Sequence, residues 1–296
     1  MFRRSKKLKV IGIGDNVCDK YVNSGIMYPG GQALNFSVYS KQLGADSSYM
    51  GIFGRDAVAN HVIKILDGLK IEHSRCRQYD GENGYAKVNL RNGDRVFVFS
   101  NKGGIAKEHP LELTDEDLEY ISTFKLVHTS NNSYFDKQLK AVHSTGVPIS
   151  YDFSGKWTDQ VIVKNVAPYV SYAFLSCGSI STEKVQQICK EMKEAGCKVV
   201  IATRGSIGAM VFDGKHFYEQ KPRLVEAIDT LGAGDSFATA FLLSMIENIE
   251  KDPKRFEEDE AFYQECIISA MKRGNQFSAK TCMVRGAFGY GVPFVE

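Results

Sequence analysis

The sequence predicts an α/β fold with three layers, in which helices cover both faces of a mainly parallel central sheet. The main observation is that apolar runs typical of buried strands alternate along the chain with segments of helical spacing. A second observation is a break in this rhythm, because residues 84–99 alternate at period two around R-N-G-D. This pattern is typical of a β-hairpin and predicts a two-stranded ribbon that stands off the main sheet.

The predicted elements follow in order from the amino terminus. The run L-K-V-I-G-I-G (8–14) predicts the first buried strand, and residues 32–44 have helical spacing that ends at Gly44. A strand at 48–53 and an amphipathic helix at 56–69 come next. The later predicted pairs of strand and helix are 125–129 with 135–145, 147–153 with 159–166, and 173–176 with 182–196, before a strand at 198–203, a hairpin at 210–218 and a helix near 261–284.

Composition and charge argue against several classes of protein. The formal net charge of +2 gives no support for a nucleic-acid or membrane surface. The apolar run after the basic start is too short for a signal peptide, and the uncharged residues 21–40 are too polar to span a membrane. The 7 cysteines include no C-x-x-C pair, and the 6 histidines lack zinc-site spacing. The sequence therefore indicates a soluble, cytoplasmic protein with free thiols.

A glycine-rich turn precedes a long apolar helix in D-T-L-G-A-G-D-S-F (229–237). Gly232, Ala233 and Gly234 are small residues that leave backbone N–H groups accessible directly before Asp235. One interpretation is a simple turn followed by a helix with Asp235 as its N-cap. The other is an anion site, because N–H groups and the helix dipole attract phosphate to a helix N-terminus. The turn alone leaves both interpretations open.

A second glycine motif, P-G-G-Q-A-L-N (29–35), precedes the first predicted helix. Gly30 and Gly31 permit close approach of the backbone to a ligand. Asn35 offers a hydrogen-bond donor and an acceptor on the first helical turn. This segment is therefore a candidate binding element.

A third motif, T-R-G-S-I-G-A (203–209), follows a predicted strand, and Gly205 and Gly208 again bare the backbone. It is not a P-loop, because no G-K-[ST] follows, and a simple hairpin connection is the alternative interpretation. Asp15 follows the first strand, where a carboxylate can bind sugar hydroxyls or stabilise a turn. A dinucleotide fingerprint at this strand is disfavoured, because Val17 replaces its third glycine.

Together these motifs resemble the PfkB-type carbohydrate kinases of the ribokinase-like superfamily. The resemblance runs over essentially the whole chain, from G-D-N-V-C-D (14–19) through P-G-G-Q-A-L-N to D-T-L-G-A-G-D-S-F and A-F-G-Y-G (287–291). Within the family, these motifs together with N-G-D-R-V-F and Y-D-F-S-G-K-W most resemble fructosamine (fructoselysine) 6-kinases. The resemblance implies a ribokinase-like fold with a small β-sheet lid. It also implies transfer of phosphate from ATP, with Mg²⁺, to a primary hydroxyl of a sugar derivative.

The resemblance implies a role for each residue that matches a family motif. Asp235 would be the general base that takes a proton from the acceptor hydroxyl. The amides that would stabilise the transferring phosphoryl group are those of Gly232, Ala233 and Gly234. The residues that would hold the sugar are Asp15, Gly30, Gly31 and Asn35, and those that would line the ATP side are Thr203, Gly205, Gly208 and Asn275. For Asn275, a surface asparagine with no ligand is the alternative. Asp152 would lie near Mg²⁺ and the phosphates, with a turn-capping role as the alternative.

The resemblance also implies one kinase domain over residues 1–296, with a lid formed by about 16–30 and 79–103 that closes over the sugar. In relatives the lid often serves as a dimer contact, so a homodimer through the lid is one expectation. The family's N-x-x-E element is absent from residues 174–183, which leaves the Mg²⁺ arrangement open. Two alternatives also stay open: another sugar or nucleoside kinase of the family, and a non-catalytic ligand-binding protein on the same fold.

Overall fold

Strands and helices alternate along the chain as their apolar spacing predicts. The structure is a computed structural model that describes residues 7–91, 94–178 and 180–294. The strands are β1 (Lys9–Gly14), β2 (Val17–Tyr21), β3 (Ile26–Gly30), β4 (Asp46–Phe53), β5 (Arg77–Gln78), β6 (Gly84–Arg91), β7 (Asp94–Ser100), β8 (Leu126–Ser130), β9 (Ile149–Ser154), β10 (Tyr172–Ser176), β11 (Val199–Thr203), β12 (Ala209–Phe212), β13 (Phe217–Gln220) and β14 (Val292–Pro293). The α-helices are α1 (Gln32–Gln42), α2 (Ala57–Leu69), α3 (Ile105–Glu108), α4 (Asp115–Ser122), α5 (Leu139–Ser144), α6 (Gln160–Val166), α7 (Thr182–Glu194), α8 (Ala233–Lys251), α9 (Pro253–Glu258) and α10 (Glu260–Thr281). Short 3₁₀ turns lie at Asp136–Gln138, Lys156–Thr158, Ala167–Tyr169 and Gly205–Ile207.

The large sheet has nine strands in the order β13-β12-β11-β10-β9-β8-β1-β4-β5. Neighbouring strands from β11 to β5 run parallel, and β12 and β13 are antiparallel to their neighbours. The strand β1 lies between β8 and β4, and every residue of β1 after Lys9 is buried. Such continuous burial explains why the sequences of these strands are apolar runs, since a parallel sheet is covered on both faces.

Two hydrophobic clusters cover the two faces of the large sheet. Ile11 and Ile13 point into one cluster with residues of α4, α5, α6 and α7. Val10 points to the opposite face, where Phe36 of α1 packs with residues of α8 and α10. This alternation along β1 gives three layers and confirms the predicted α/β/α architecture.

A second, five-stranded sheet has the order β14-β3-β2-β6-β7. Its β6–β7 pair confirms the predicted hairpin, although the turn at Asn92 and Gly93 lies outside the described residues. The prediction of a two-stranded ribbon was wrong, because β2 pairs in parallel with β6 from Val17–Gly84 to Tyr21–Val88. We call this sheet the small sheet.

The described helices also bear on a possible membrane segment. Within 7–91, 94–178 and 180–294, no helix combines the length and the apolar character that crossing a membrane requires.

Candidate active site

Two cavities open where the parallel strands of the large sheet end, and they meet at the glycine-rich turn. The first has a volume of about 750 Å³ and lies beside the ends of β1, β8 and β9. The second has a volume of about 640 Å³ and lies beside the ends of β10 and β11. Thr230 and Gly234 line both cavities, so the turn forms their shared wall.

The glycine-rich turn begins α8. Gly232 is the N-cap in a left-handed conformation with φ of 74°, and a Cβ there would lie 2.3 Å from the Tyr39 hydroxyl oxygen. Asp235 is therefore the third residue of the helix, and its interpretation as the N-cap was wrong. The amide of Ala233 donates to the Thr230 carbonyl oxygen at 3.2 Å. A Cβ at Gly234 would meet no atom within 4 Å, so the backbone is accessible there.

Asn35 and Asp235 both line the first cavity and contact each other. The Asn35 Nδ2 atom donates to Asp235 Oδ2 at 2.6 Å. Asn35 is only 1% exposed, and its Oδ1 has no hydrogen-bond partner within the described part of the chain. A buried acceptor without a partner is costly, so this atom is well placed to accept a hydrogen bond from a ligand hydroxyl.

The Asp15 carboxylate lines the first cavity, but both of its oxygens already accept hydrogen bonds from the protein. Oδ2 accepts from the Gln32 amide at 2.7 Å, and Oδ1 accepts from the Ala33 amide at 3.1 Å. The hydroxyls of Ser130 and Ser133 also donate to Oδ1, at 3.2 and 3.0 Å. Asp15 therefore satisfies the N-terminal amides of α1 as well as facing the cavity.

The two glycines before α1 bring backbone segments close together. Gly31 is the N-cap of α1 with φ of 112°, lines the first cavity, and would place a Cβ 2.7 Å from the Asp15 carbonyl oxygen. Gly30 ends β3, where a Cβ would lie 3.4 Å from the Asp19 carboxylate. A side chain at Gly31 would push α1 away from the end of β1.

Asp152 lies within β9, two residues before Ser154, and lines neither cavity itself. It is buried, and its Oδ1 accepts a hydrogen bond from the Ser154 amide at 2.6 Å. Burial first and the negative charge of Asp235 second raise the pKa of Asp152 to about 7. Carboxylate oxygens are ligands of the kind that Mg²⁺ takes. The described residues hold no group of three or more histidine, cysteine or acidic side chains placed for a metal.

The second cavity combines a glycine turn with an apolar wall. Thr203 ends β11, and Gly205 and Gly208 follow with φ of 55° and 119°. A Cβ at Gly208 would lie 2.1 Å from the Gln220 carbonyl oxygen, so the turn has no room for a side chain there. Because β11 and β12 pair antiparallel, the interpretation of this turn as a hairpin connection was correct. All three residues also line the cavity, whose apolar wall contains Leu224, Val225, Ala227 and Phe237. Such a wall suits a flat, apolar ring.

Asn275 lines the second cavity, but its amide group holds a loop. Its Oδ1 accepts from the Arg223 amide at 2.7 Å, and its Nδ2 donates to the Lys221 carbonyl oxygen at 2.8 Å. The structure therefore gives Asn275 a role in positioning residues 221–223, and a direct contact with adenine stays a prediction.

Several residues around the first cavity were not found by sequence reasoning. Lys102, Tyr134 and Ser154 line it with left-handed φ of 54°, 52° and 48°. The Tyr134 hydroxyl donates to the Lys102 carbonyl oxygen at 2.5 Å, which fixes both loops. Non-glycine residues in the left-handed conformation are strained and occur often at functional sites, but no sequence pattern predicts them.

The segment that lacks N-x-x-E is held by an arginine that the motifs did not single out. Arg204 donates to the Ile180 carbonyl oxygen at 2.8 Å and to the Thr182 hydroxyl at 3.1 Å. Its position in T-R-G, between the motif residues Thr203 and Gly205, is the signal that could have indicated it.

Comparisons with known proteins agree with this geometry. A family model described as pfkB family carbohydrate kinase matches residues 6–287. Fructosamine kinase FrlD of Bacillus subtilis (strain 168) is 40% identical over 97% of this chain and 95% of its own. Fructoselysine 6-kinase of Escherichia coli (strain K12) is 30% identical over 93% of this chain and 98% of its own.

Solved structures share the fold. Arabidopsis thaliana ribokinase complexed with ribose and ATP has a TM-score of 0.75 at 20% identity, over 96% of this chain and 95% of its own. Ribokinase from Giardia lamblia has a TM-score of 0.81 at 15% identity, with the same coverage of 96% and 95%. The ribokinase-like fold expected from the motifs is confirmed.

Proposed function

The chain belongs to the pfkB family of carbohydrate kinases, and from this premise we propose that it uses ATP to phosphorylate the 6-hydroxyl of a fructosamine such as fructoselysine. One observation carries the proposal above all. Two cavities meet at a helix N-terminus that presents Asp235 to the first cavity and backbone amides to both. This arrangement suits transfer of a phosphoryl group from a nucleotide in one cavity to a hydroxyl in the other.

Asp235 is the proposed general base. Its carboxylate takes the proton of the primary hydroxyl as the hydroxyl oxygen bonds to the γ-phosphorus and the bond to the β-phosphate oxygen breaks. Asn35 holds the carboxylate through the 2.6 Å hydrogen bond, and its free Oδ1 accepts from a sugar hydroxyl. Asp15 lines the same cavity, where it is proposed to accept from another hydroxyl of the acceptor while it holds the N-terminal amides of α1.

The N-terminus of α8 stabilises the charge that spreads over the transferring group. Gly232 and Gly234 place backbone amides and the positive end of the helix dipole at the boundary of the cavities, whereas the Ala233 amide already donates to the Thr230 carbonyl oxygen. The absence of a Cβ at Gly234 lets the phosphoryl oxygens approach the backbone. Preorganised amides of this kind are stabilising without any rearrangement during the reaction.

The second cavity is the proposed ATP site. The adenine ring would pack on Leu224, Val225 and Phe237, and the phosphates would run past Thr203 and Gly205 towards the turn. Bound Mg²⁺ would neutralise phosphate charge, and Asp152, which precedes the cavity-lining Ser154 by two residues, is the proposed residue that acts on it through water. The 7 free cysteines fit a reducing compartment where ATP is abundant, so we place the reaction in the cytoplasm.

The identity of the acceptor is supported by the names of two relatives and by the first cavity. At about 750 Å³ the cavity has room for a substituent beyond the sugar. Lys102 and Lys156 line it, and neither forms an ion pair with another described residue. Two unpaired ammonium groups suit the carboxylate of an amino acid joined to fructose.

The test is acceptor-dependent release of ADP from Mg-ATP, with fructoselysine, fructose, ribose and adenosine compared. We expect fructoselysine to give the highest kcat/KM, and Asp235→Asn to lower kcat by roughly 10²–10⁴-fold with ATP binding retained. Preference for another acceptor would keep the kinase and overturn the fructosamine assignment. No turnover on any acceptor, with ATP still bound, would favour a ligand-binding protein instead.

A further inference from the structure

A buried hydrogen bond joins the small sheet to the glycine-rich turn. The Tyr21 hydroxyl, at the end of β2, donates to Asp229 Oδ2 at 2.6 Å. Tyr21 is 2% exposed and Asp229 is 1% exposed. Neither Tyr21 nor Asp229 lines either cavity, so this hydrogen bond lies outside the set of residues that would touch substrate.

Asp229 connects three segments of the chain. Besides Tyr21, its Oδ2 accepts from the Gly286 amide at 2.9 Å, and its Oδ1 accepts from the Leu231 amide at 2.9 Å. Leu231 directly precedes Gly232, the N-cap of α8. The carboxylate thus fixes the backbone immediately before the amides at the start of α8.

The surroundings leave this connection little freedom to move. The rings of Tyr21 and Tyr28 pack edge to face at 5.0 Å between centroids. A Cβ at Gly286 would lie 2.5 Å from Cδ1 of Tyr28, so the loop at 286 fits closely against the small sheet. On the other side, a Cβ at Gly232 would lie 2.9 Å from the Ala287 Cβ, so the same loop supports the turn.

We propose that Tyr21 is a positioning residue, which acts through Asp229 to hold the amides at the start of α8 in the geometry that phosphoryl transfer needs. The placement of these amides then depends on the position of the small sheet. The proposal rests on the proposed function in one respect, namely that the amides serve the transferring phosphoryl group.

Loss of the Tyr21 hydroxyl removes a buried hydrogen bond to a carboxylate. Bonds of this type are strong, and among the described residues the Asp229 oxygens would keep the two amide donors of Leu231 and Gly286. The turn would then sample other positions, which would weaken stabilisation of the transition state more than binding of either substrate.

The first test compares Tyr21→Phe with Tyr28→Phe. The Tyr28 variant is the matched control, because that tyrosine lies in the same sheet, packs on Tyr21, and forms no hydroxyl hydrogen bond to any other described residue. We expect Tyr21→Phe to lower kcat roughly tenfold, with changes below about twofold in the KM of ATP and of the acceptor. We expect Tyr28→Phe to leave kcat near that of the wild type. An unchanged kcat in Tyr21→Phe, or an equal loss in Tyr28→Phe, would overturn the proposal.

The second test is amide hydrogen exchange over residues 229–236 in the folded protein. Tyr21→Phe should speed exchange at Leu231 to Gly234, and Tyr28→Phe should not. Exchange needs no acceptor, so this test stands even if the fructosamine assignment fails, and kcat can be measured with whichever acceptor is turned over. A lower melting temperature with normal exchange and normal kcat would show a merely structural contact and overturn the proposal.

Asp229→Asn provides an independent check, because its effect should include that of Tyr21→Phe. The double variant should therefore have a kcat close to that of Asp229→Asn alone. Losses that multiply across the two substitutions would overturn the proposed path through Asp229.

Discussion

The side chains of the candidate site are positioned by contacts that their own motifs do not contain. The glycine-rich motif predicts that Asp235 lies beside accessible amides, but not that Asn35, 200 positions away, donates to its carboxylate. The motif at 29–35 likewise indicates a binding element, but not that Asp15 satisfies the amides of α1. Residue types and turns could be predicted from the sequence, whereas partners across the fold depend on tertiary packing.

Asp152 should make the stability of the ligand-free protein depend on pH. Its pKa lies near 7 in the folded chain, above its ordinary value of 3.8, first because it is buried and then because Asp235 is near. Folding therefore favours the protonated form, and this contribution is fully present below about pH 4 and is lost as pH rises through about 7. From pH 5 to pH 8, we expect the wild type to lose roughly 1–3 kcal/mol relative to Asp152→Asn. Urea unfolding of both proteins at several pH values, without Mg²⁺ or nucleotide, measures this difference.

Asp235→Asn serves as the control for the cause of this shift. It removes the neighbouring charge and leaves the burial of Asp152 in place, so the pH dependence should become smaller without disappearing. Parallel stability curves for the wild type and Asp152→Asn would contradict the assignment.

The helices and strands show where local patterns suffice. The strand predicted at 48–53 is β4 (Asp46–Phe53), and the helix predicted at 182–196 is α7 (Thr182–Glu194). By contrast, no local pattern predicts β2 and β3, because their segment has turn residues and no clear alternation, and only the family resemblance implied that residues 16–30 belong to a β-sheet lid. Their pairing with β6 and β14 stabilises them, and such pairing is not a property of the local sequence.

Helix α1 depends on a carboxylate from another element for its N-terminus. Its N-cap is Gly31, which has no side chain to accept from the helix amides, and Asp15 accepts from two of them instead. Asp15→Ala should therefore lower the free energy of unfolding by about 1–3 kcal/mol, and should also raise the KM of the acceptor more than that of ATP. Urea unfolding and steady-state kinetics measure the two effects.

Asp259→Ala is the matched control, because Asp259 caps α10 through the Phe262 amide at 2.9 Å and lines neither cavity. It should lower stability and leave both KM values near those of the wild type. Equal changes in the two KM values for Asp15→Ala would mean that Asp15 acts only in folding.

At the scale of the whole molecule, the large sheet could be predicted and the small sheet only in part. Apolar runs in the sequence predict buried parallel strands, so the three-layer core could be predicted from the sequence. The small sheet assembles strands from three separate parts of the chain, residues 17–30, 84–100 and 292–293, with β14 beside β3 and β6 beside β2. Its action as a lid over the first cavity stays a prediction, although Tyr85 and Phe97 of β6 and β7 line that cavity.

The small sheet ends in an apolar edge strand, and this edge leads us to expect a homodimer. On β7, Val96, Phe97, Val98 and Phe99 are 44%, 63%, 57% and 52% exposed. Because β7 is an edge strand, its outer backbone groups can pair with a second copy, and an exposed apolar edge rarely stays uncovered. Sedimentation velocity at micromolar concentration should give a dimer for the wild type and mainly monomer for Val98→Lys. Val161→Lys is the matched control, because that valine is 69% exposed on α6, outside the small sheet, and its variant should remain dimeric. A monomeric wild type, or equal dissociation of both variants, would mean that β7 is not the contact between copies.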